Sequence, residues 1–264
     1  MIEFSLRKMK KLGLGILIGI LALTFSGVLV MVRAITPQEK GKANAPDLEK
    51  IEFIHYKKNF AKPAGRAPKT SSCYKFFPAK VKWQVPPPVE YVINPTNSSA
   101  LPENFICEAT TTSAETWDKE ATNRNLFQDY NTCPINTEVI YGDPDGKNAI
   151  VFGNYPDPNV IAVTTVWYNP AIKTIAEFDV KFNTGSNWTW GDCWGKEKTC
   201  YNNKVMDLQN IAIHELGHGV GLSDVYEMGC SDVTMFGYSG YGETNKRTLE
   251  KPDITGLQTL YPNF

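Results

Sequence analysis

The amino-acid sequence predicts an α+β domain in which strands and helices alternate along the chain. Apolar and small residues recur at helical spacing between residues 101 and 121, which predicts one long helix. From residue 176 to residue 182, hydrophobic and charged residues alternate, as in a half-buried strand. The other predicted elements are strands at 90–94, 149–152 and 160–168, a second long helix around residue 214 and a final helix at 249–261.

Length and charge limit the classes of protein to consider. The 264 residues are 42% hydrophobic and 21% charged, which is enough to bury a sizeable core. The formal net charge of -1 gives no electrostatic reason to expect a nucleic acid partner. We expect a monomer with a basic stub and apolar segment at 1–33, a polar basic linker at 34–71 and one folded domain at 72–264.

The N-terminus carries a basic cluster and then a long apolar segment. Four basic residues at positions 7–11 precede an uncharged stretch from 12 to 32, and a membrane-spanning helix needs about 20 residues. Because positive flanks stay in the cytoplasm, the pattern predicts a single-pass membrane anchor with the rest of the chain outside the cell. The alternative is a signal peptide cleaved near residues 32–34, which makes the protein secreted.

The residues with the clearest chemistry lie in the second predicted helix. His214 and His218 are four positions apart, so both imidazoles can point from one helix face at one metal ion. Glu215 lies beside them and can take a proton from a metal-bound water. Gly221 is placed to end the helix, since glycine adopts left-handed backbone conformations, and Asp224 follows as a candidate third ligand.

This run resembles the metzincin signature H-E-x-x-H-x-x-G-x-x-H, in the variant that ends in aspartate. The chain has only three histidines, and the third, His55, precedes the predicted domain. The resemblance implies one catalytic zinc ion held by His214, His218 and Asp224, with Glu215 as general base. An ordinary buried helix with metal-free histidines is the alternative.

Two further segments are similar to those of matrixins, a metzincin family. Residues 231–238 resemble the Met-turn, which implies that Met235 forms an apolar floor beneath the metal. Tyr238 is then the candidate to hydrogen-bond the tetrahedral intermediate, with Tyr241 as second choice. Residues 249–261 are similar to the closing helix of matrixins.

The resemblance implies a mixed, twisted sheet with two long helices above the cleft, and a small lower subdomain with the Met-turn and the C-terminal helix.

The resemblance implies a zinc-dependent endopeptidase that hydrolyses extracellular proteins or peptides. An extended peptide is expected to lie along an edge strand at residues 160–165. One alternative is a catalytically idle metzincin-fold module for adhesion at the cell surface. Another is a gluzincin with Glu243 or Glu250 as third ligand. Residues 143–146 are a candidate calcium site or a plain turn before a strand.

Six cysteines are typical of an exported chain with three disulfides, for which fifteen pairings are possible. The expected pairs are Cys193 with Cys200, which flank a short loop, Cys107 with Cys133, and Cys73 with Cys230. Cys73 has an alternative role, because in many matrixins a propeptide thiolate occupies the zinc. The sequence around Cys73 lacks the motif of that switch.

Overall fold

A mixed sheet and four α-helices make up the part of the chain that the structure describes. The computed structural model describes residues 48–58, 72–84, 88–122, 125–185 and 188–262. The strands in these ranges are β1 (Glu49–Lys57), β2 (Lys75–Phe76), β3 (Val92–Ile93), β4 (Ala149–Gly153), β5 (Val160–Asn169), β6 (Thr174–Asn183), β7 (Thr189–Gly191), β8 (Val205–Asp207), β9 (Leu222–Ser223) and β10 (Tyr238–Ser239). The α-helices are α1 (Glu103–Asp118), α2 (Glu197–Asn202), α3 (Leu208–Gly219) and α4 (Lys251–Leu260).

Six strands form the main sheet in the order β10, β1, β5, β6, β4, β3. β5 pairs antiparallel with both β1 and β6, whereas the pairs β6–β4, β4–β3 and β1–β10 are parallel. The sheet is therefore mixed, and the predicted α+β order of strand, long helix, strands and helix is confirmed. The small ladders β2–β9 and β7–β8 flank α3, since β8 directly precedes that helix and β9 follows it.

The two long helices pack against each other, and α3 also contacts β5 and β6. Trp117, near the end of α1, is fully buried and donates its indole Nε1–H to the carbonyl oxygen of Ile213 at 2.8 Å. Nearly every residue of α3 is buried. A polar side chain on a helix that is buried on all sides needs a hydrogen-bond partner or a bound ion. Each polar side chain on α3 is therefore expected to have one.

The first strand corrects the predicted linker. The basic composition of residues 34–71 predicts a tether, but Glu49–Lys57 forms β1 inside the main sheet. Ile51, Phe53 and His55 alternate toward the interior, and the last two are buried. The alternation is short and one of its inward residues is a histidine, so the sequence pattern did not predict this strand.

The position of β5 corrects the predicted substrate edge. Residues 160–165 belong to a strand that is paired on both sides, by β1 and by β6. The register with β1 runs from Glu49 opposite Tyr168 to Tyr56 opposite Val160. The expectation of a free edge at 160–165 is therefore wrong for this state of the chain, because β1 covers that edge.

Three disulfides join the same cysteines that the sequence analysis paired. The bonds are Cys73–Cys230, Cys107–Cys133 and Cys193–Cys200. With Cys73 bonded to Cys230, its thiolate is not available to a metal, so the alternative switch role of Cys73 is wrong. The long-range bond ties the start of β2 to the short 3-10 helix Met228–Cys230.

No helix in the described ranges is both long enough and apolar enough to cross a membrane. The apolar segment at 12–32, on which the predicted anchor or signal peptide depends, lies outside the described residues.

Candidate metal centre

The ends of α3 are set by two residues that the sequence indicates. Asp207 caps the N-terminus, since its Oδ1 accepts a hydrogen bond from the backbone N–H of Asn210 at 2.8 Å. Gly221 follows the last turn with φ of +104°, in the left-handed region. A Cβ at Gly221 would lie 2.8 Å from the carbonyl oxygen of Val81, so both conformation and space require glycine there. This turn brings the following chain back toward the helix.

Backbone carbonyls orient both histidines of α3. Nδ1 of His214 lies 2.7 Å from the carbonyl oxygen of Thr234, and Nδ1 of His218 lies 2.7 Å from that of Leu222. A carbonyl oxygen only accepts, so each Nδ1 carries the proton and donates it. In a neutral imidazole this leaves the lone pair on Nε2, which is the arrangement of a metal-binding histidine.

Three buried atoms converge without a hydrogen bond partner among the described residues: His214 Nε2, His218 Nε2 and Asp224 Oδ1. Asp224 Oδ1 lies 3.1 Å from His214 Nε2 and 3.5 Å from His218 Nε2. Lone pairs that face each other at such distances repel unless a cation lies between them. Zinc bonds of about 2.0–2.2 Å in a tetrahedron place ligand atoms about 3.3 to 3.6 Å apart, close to the observed separations, so these side chains fit a zinc ion.

Without a metal ion the two histidines differ in charge: burial acts to lower the pKa of His218, but the carboxylate of Asp224 raises it. Burial and the positive charge of Lys246 lower the pKa of His214 to about 3, so this imidazole is neutral and free to donate its lone pair. Burial acts to raise the pKa of Asp224, but His218 and His214 hold it well below its ordinary value. Asp224 Oδ2 also accepts a hydrogen bond from the Tyr226 hydroxyl at 2.8 Å, which orients the carboxylate.

Glu215 is fully buried beside the three converging atoms. Its Oε2 accepts a hydrogen bond from the Thr164 hydroxyl at 2.6 Å, and its Oε1 accepts one from Nδ1 of His55 at 2.9 Å. Burial is the main cause that raises the pKa of this carboxyl to about 7. A carboxylate with a pKa near neutrality can both take up and release a proton at physiological pH.

Lys246 is a buried member of the site that the sequence analysis did not identify. Its Nζ lies 3.2 Å from His55 Nε2 and donates to the carbonyl oxygen of Phe236. Burial lowers the pKa of this ammonium to about 7. A single lysine in a polar loop carries no sequence signal of burial, so neither Lys246 nor the role of Tyr226 was predictable.

Met235, for which the resemblance implies a place beneath the metal, packs against Gly217 of α3, next to His218. Met235 is fully buried, and a Cβ added to Gly217 would overlap its sulfur. Asp253 of α4 holds the turn, because its carboxylate accepts hydrogen bonds from the backbone N–H groups of Thr234 and Met235 at 2.9 and 3.1 Å. The C-terminal helix therefore supports the carbonyl of Thr234 that orients His214.

The two candidate tyrosines lie farther along the cleft. Tyr238 packs its ring 5.2 Å from that of Tyr226 and 5.5 Å from that of Phe236, and it lies on β10 beside β1. Tyr241 lies under the ammonium of Lys57, with 4.4 Å between Nζ and the ring centroid. Tyr226 contacts both Tyr238, through its ring, and the candidate ligand Asp224, through its hydroxyl.

The alternative ligands and the calcium candidate have other partners. Glu243 hydrogen-bonds Lys58 at 2.5 Å, and Glu250 precedes α4 and donates its N–H to Asp253 at 3.0 Å. Among the described groups of side chains with ligand spacing, the one that holds both histidines of α3 contains Asp224, and none contains Glu243 or Glu250. At 143–146, the backbone N–H groups of residues 145 and 146 donate to Glu177, as expected of a turn.

Fold and site together define a metallopeptidase of the metzincin type: a mixed sheet, a buried helix with two oriented histidines, a returning aspartate and a methionine packed against the same helix. The family model for matrixins matches residues 82–262. The match covers more than half of the chain, so the chain belongs to the matrixin family, whose members are zinc metallopeptidases. β1 lies before the matched range.

Proposed function

We propose that the protein is a zinc-dependent endopeptidase that hydrolyses peptide bonds of extracellular proteins. The observation that carries the proposal is the convergence of three unpartnered, buried ligand atoms, from His214, His218 and Asp224, next to the buried carboxylate of Glu215. A zinc ion bound there supplies a water of lowered pKa and polarises the scissile carbonyl.

Glu215 is the proposed general base, and it later gives the proton to the leaving amine. Thr164 holds one oxygen of its carboxylate at 2.6 Å, and the proton transfer is proposed for the other oxygen, which accepts from His55 in this structure. The raised pKa of Glu215 suits a group that takes a proton and gives it back in one cycle.

Two tyrosines have further proposed roles, one in positioning Asp224 and one in donating a hydrogen bond to the intermediate. Tyr226 orients Asp224 through a 2.8 Å hydrogen bond and acts as a positioning residue. Tyr238 is the proposed donor to the tetrahedral intermediate, because its ring packs against Tyr226, which hydrogen-bonds Asp224.

Three disulfides support a location outside the cytoplasm, where such bonds persist. We propose either a single-pass membrane protein with the peptidase domain outside the cell or a secreted protein. The N-terminal segment at 1–33 decides between the two.

The function is tested on the purified full chain by metal analysis and by digestion of a peptide library with and without a chelator. We expect about one zinc ion per chain and cleavage that stops with the chelator and returns with zinc. Glu215→Gln is the matched control, because it removes the base and keeps the three ligands. Zinc without cleavage in any form of the chain would favour the idle binding module instead.

A further inference from the structure

Lys246 is the one lysine or arginine with a buried side chain in the part of the chain that the structure describes. Its Nζ has three described neighbours: the carbonyl oxygen of Phe236, His55 Nε2 at 3.2 Å and His214 Nδ1 at 3.4 Å. None of the three is a carboxylate. A buried ammonium without an ion-pair partner is costly, and such groups occur mainly at functional sites. The place of Lys246 beside the candidate metal centre therefore indicates a functional role.

The backbone around Lys246 is fastened to the start of α3. The Lys246 N–H donates to Oδ1 of Asn210 at 2.7 Å, and Nε of Arg247 donates to Oδ1 of Asp207 at 2.8 Å. Asp207 caps α3, and Asn210 lies in its first turn. The short 3-10 helix Asn245–Arg247 therefore holds a fixed position relative to α3. The lysine side chain on it is held in one place, as in a preorganised binding site.

Lys246 and Ser239 reach the same acceptor atom. Glu215 Oε1 accepts from Nδ1 of His55, so the lone pair of the neutral ring lies on Nε2. The Ser239 hydroxyl lies 3.0 Å from this Nε2, and the Lys246 Nζ lies 3.2 Å from it. We call the space between Glu215, Ser239 and Lys246, which the His55 ring fills in this structure, the donor pocket. Its inner end presents two hydrogen bond donors, so it suits a side chain that accepts hydrogen bonds.

We propose that Lys246 is a specificity-determining residue of the peptidase, which selects peptides that carry glutamate or glutamine on the leaving-amine side of the cut. This proposal rests on the proposed function. Glu215 gives its proton to the leaving amine, so the residue that carries this amine lies nearest to Glu215 and to the donor pocket. Its side chain then meets Lys246 and Ser239 at the inner end of the pocket.

Reach distinguishes glutamate and glutamine from the shorter acceptor side chains. Nε2 of a histidine lies two bonds beyond Cγ, and the side-chain oxygens of glutamate and glutamine also lie two bonds beyond Cγ. These oxygens can therefore take the position of His55 Nε2 between the two donors. The oxygens of aspartate and asparagine are one bond shorter and stop before the end of the pocket.

Side chains without an acceptor are disfavoured in the donor pocket. A leucine would leave the ammonium of Lys246 and the hydroxyl of Ser239 buried without a partner, since both residues are buried. A lysine would set a second positive charge against Lys246. A site built to hydrogen-bond a substrate group discriminates strongly against side chains that lack this group. The pocket therefore selects by hydrogen bonding and charge.

The test uses the zinc-loaded full chain and four peptides that differ only in the residue after the cut, which is glutamate, glutamine, leucine or lysine. We expect kcat/KM for the glutamate and glutamine peptides to exceed that for leucine and lysine by roughly ten- to hundredfold. Lys246→Met should reverse the order of glutamate and leucine, because methionine has a similar length and no donor. The change should fall mainly on KM, since Lys246 contacts the side chain and not the scissile bond.

Two further variants complete the comparison. Lys251→Met is the matched control, because Lys251 is exposed on α4, and this variant should keep the order of the parent. Ser239→Ala removes one donor and keeps the ammonium, so the ratio of glutamate to leucine should fall by roughly two- to tenfold. If Lys246→Met does not fold, Ser239→Ala decides, and an unchanged ratio in this variant would overturn the proposal.

A second measurement does not depend on cleavage. His55→Ala removes the ring from the donor pocket, so small acceptors can enter. Acetate and acetamide, which carry the end groups of glutamate and glutamine, should raise the Tm of His55→Ala by roughly 2 °C or more at saturation. Methylammonium should not raise it. In His55→Ala combined with Lys246→Met, the shift by acetate and acetamide should disappear, which separates the donor pocket from other binding places.

The outcomes distinguish the proposal from the function on which it rests. Glutamate ahead of glutamine, or equal to it, supports the proposal in either case, and the comparison shows how much the charge of Lys246 adds. A parent that cleaves the leucine peptide as fast as these two, or an order unchanged in Lys246→Met, would overturn it. If the proposed function fails, no variant cleaves any peptide with zinc bound, while acetate and acetamide still stabilise His55→Ala through Lys246. Equal Tm shifts with and without Lys246→Met would leave the pocket no selecting role and would also overturn the proposal.

Discussion

The sulfur of Met235 lies directly against Gly217, in the turn of α3 between the two histidines, where a Cβ would overlap it and would lie 2.7 Å from the Trp117 ring. Helix propensity alone favours alanine over glycine by about 1 kcal/mol. Overpacking of a dense core costs about 1 to 3 kcal/mol, and here two neighbours must move. Packing therefore decides whether an alanine at position 217 stabilises or destabilises the fold.

We predict that Gly217→Ala lowers the free energy of unfolding by about 1 to 2 kcal/mol and weakens zinc binding. Urea denaturation and metal analysis measure the two effects. Gly229→Ala is the control, since nothing lies within 4 Å of a Cβ at that position. Equal losses in both variants would show that the contact with Met235 is not the cause.

Glu215→Gln is predicted to keep zinc and fold while kcat falls by roughly two to four orders of magnitude, the range for a general base. Glutamine preserves the shape of the side chain and can still accept from Thr164, which holds the glutamate at 2.6 Å. Single-turnover kinetics and metal content are the measurements. A variant as active as the parent would remove Glu215 from the mechanism.

Asp224→Ala should lose most zinc affinity at neutral pH, because two histidines alone remain of the three converging side chains. Asp224→His should keep the metal and some activity. Asp232→Ala is the matched control, since Asp232 is exposed and its side chain hydrogen-bonds Ser231. Metal analysis at equal protein concentration decides. Zinc retained in Asp224→Ala and lost in Asp232→Ala would show that Asp232, and not Asp224, is the third ligand.

Asp118 predicts a pH dependence of stability away from the metal centre. Burial raises the pKa of Asp118 to about 7, helped by the negative charges of Glu115 and Asp129, although the N–H groups of Leu126 and Phe127 act against it. The pKa in the folded state thus lies above the ordinary value of 3.8. Between these two pH values the folded state binds more protons than the unfolded state. The stability that protonated Asp118 contributes is therefore present below pH 4 and is lost as the pH rises through 7.

Asp118→Asn should therefore stabilise the protein more at pH 8 than at pH 5, with a difference on the order of 2 kcal/mol. Asparagine can keep both hydrogen bonds, because both N–H groups donate to the same oxygen, Oδ1. Chemical denaturation of both proteins at the two pH values gives the difference. If Asp118→Asn changed the free energy of unfolding equally at pH 5 and pH 8, this result would contradict the raised pKa of Asp118.

The disulfides should differ in what they contribute to stability. The Cys193–Cys200 bond closes a loop with a sequence separation of 7, and Cys73–Cys230 one of 157. Loop entropy predicts about 2 kcal/mol for the first and about 5 kcal/mol for the second. Replacing each pair by alanine and comparing denaturation midpoints tests the order. A larger loss from the short loop would show that local contacts outweigh chain entropy.

The sequence predicted the parts of the site that lie close together along the chain. Helical spacing places His214, Glu215 and His218 on α3, and Gly221 explains why Asp224 returns to them. These relations depend on local geometry, which residue types determine directly. The order of the elements and the pairs Cys193–Cys200 and Cys107–Cys133 followed from similarly short-range patterns, and Cys73–Cys230 was the pair that remained.

The parts that the sequence did not predict depend on pairing between distant segments. His55 meets Glu215 across a separation of 160 residues, and Lys246 reaches His55 across 191. Nothing in the residues around either position specifies the partner strand, because the register of β1 against β5 is set by the whole sheet. Composition favoured a linker there, and the edge at residues 160–165 was assigned without its covering strand.

The Cys73–Cys230 bond fixes the chain beyond β1 to the wall of the site, so β1 stays attached to the domain that it occupies. A tethered segment acts at an effective concentration set by its covalent connection, and dilution does not change it. Free peptides at micromolar concentration compete poorly with such a segment. Cutting the backbone between Lys58 and Cys73 would leave β1 on a separate N-terminal fragment, which its own contacts alone would then hold to the domain.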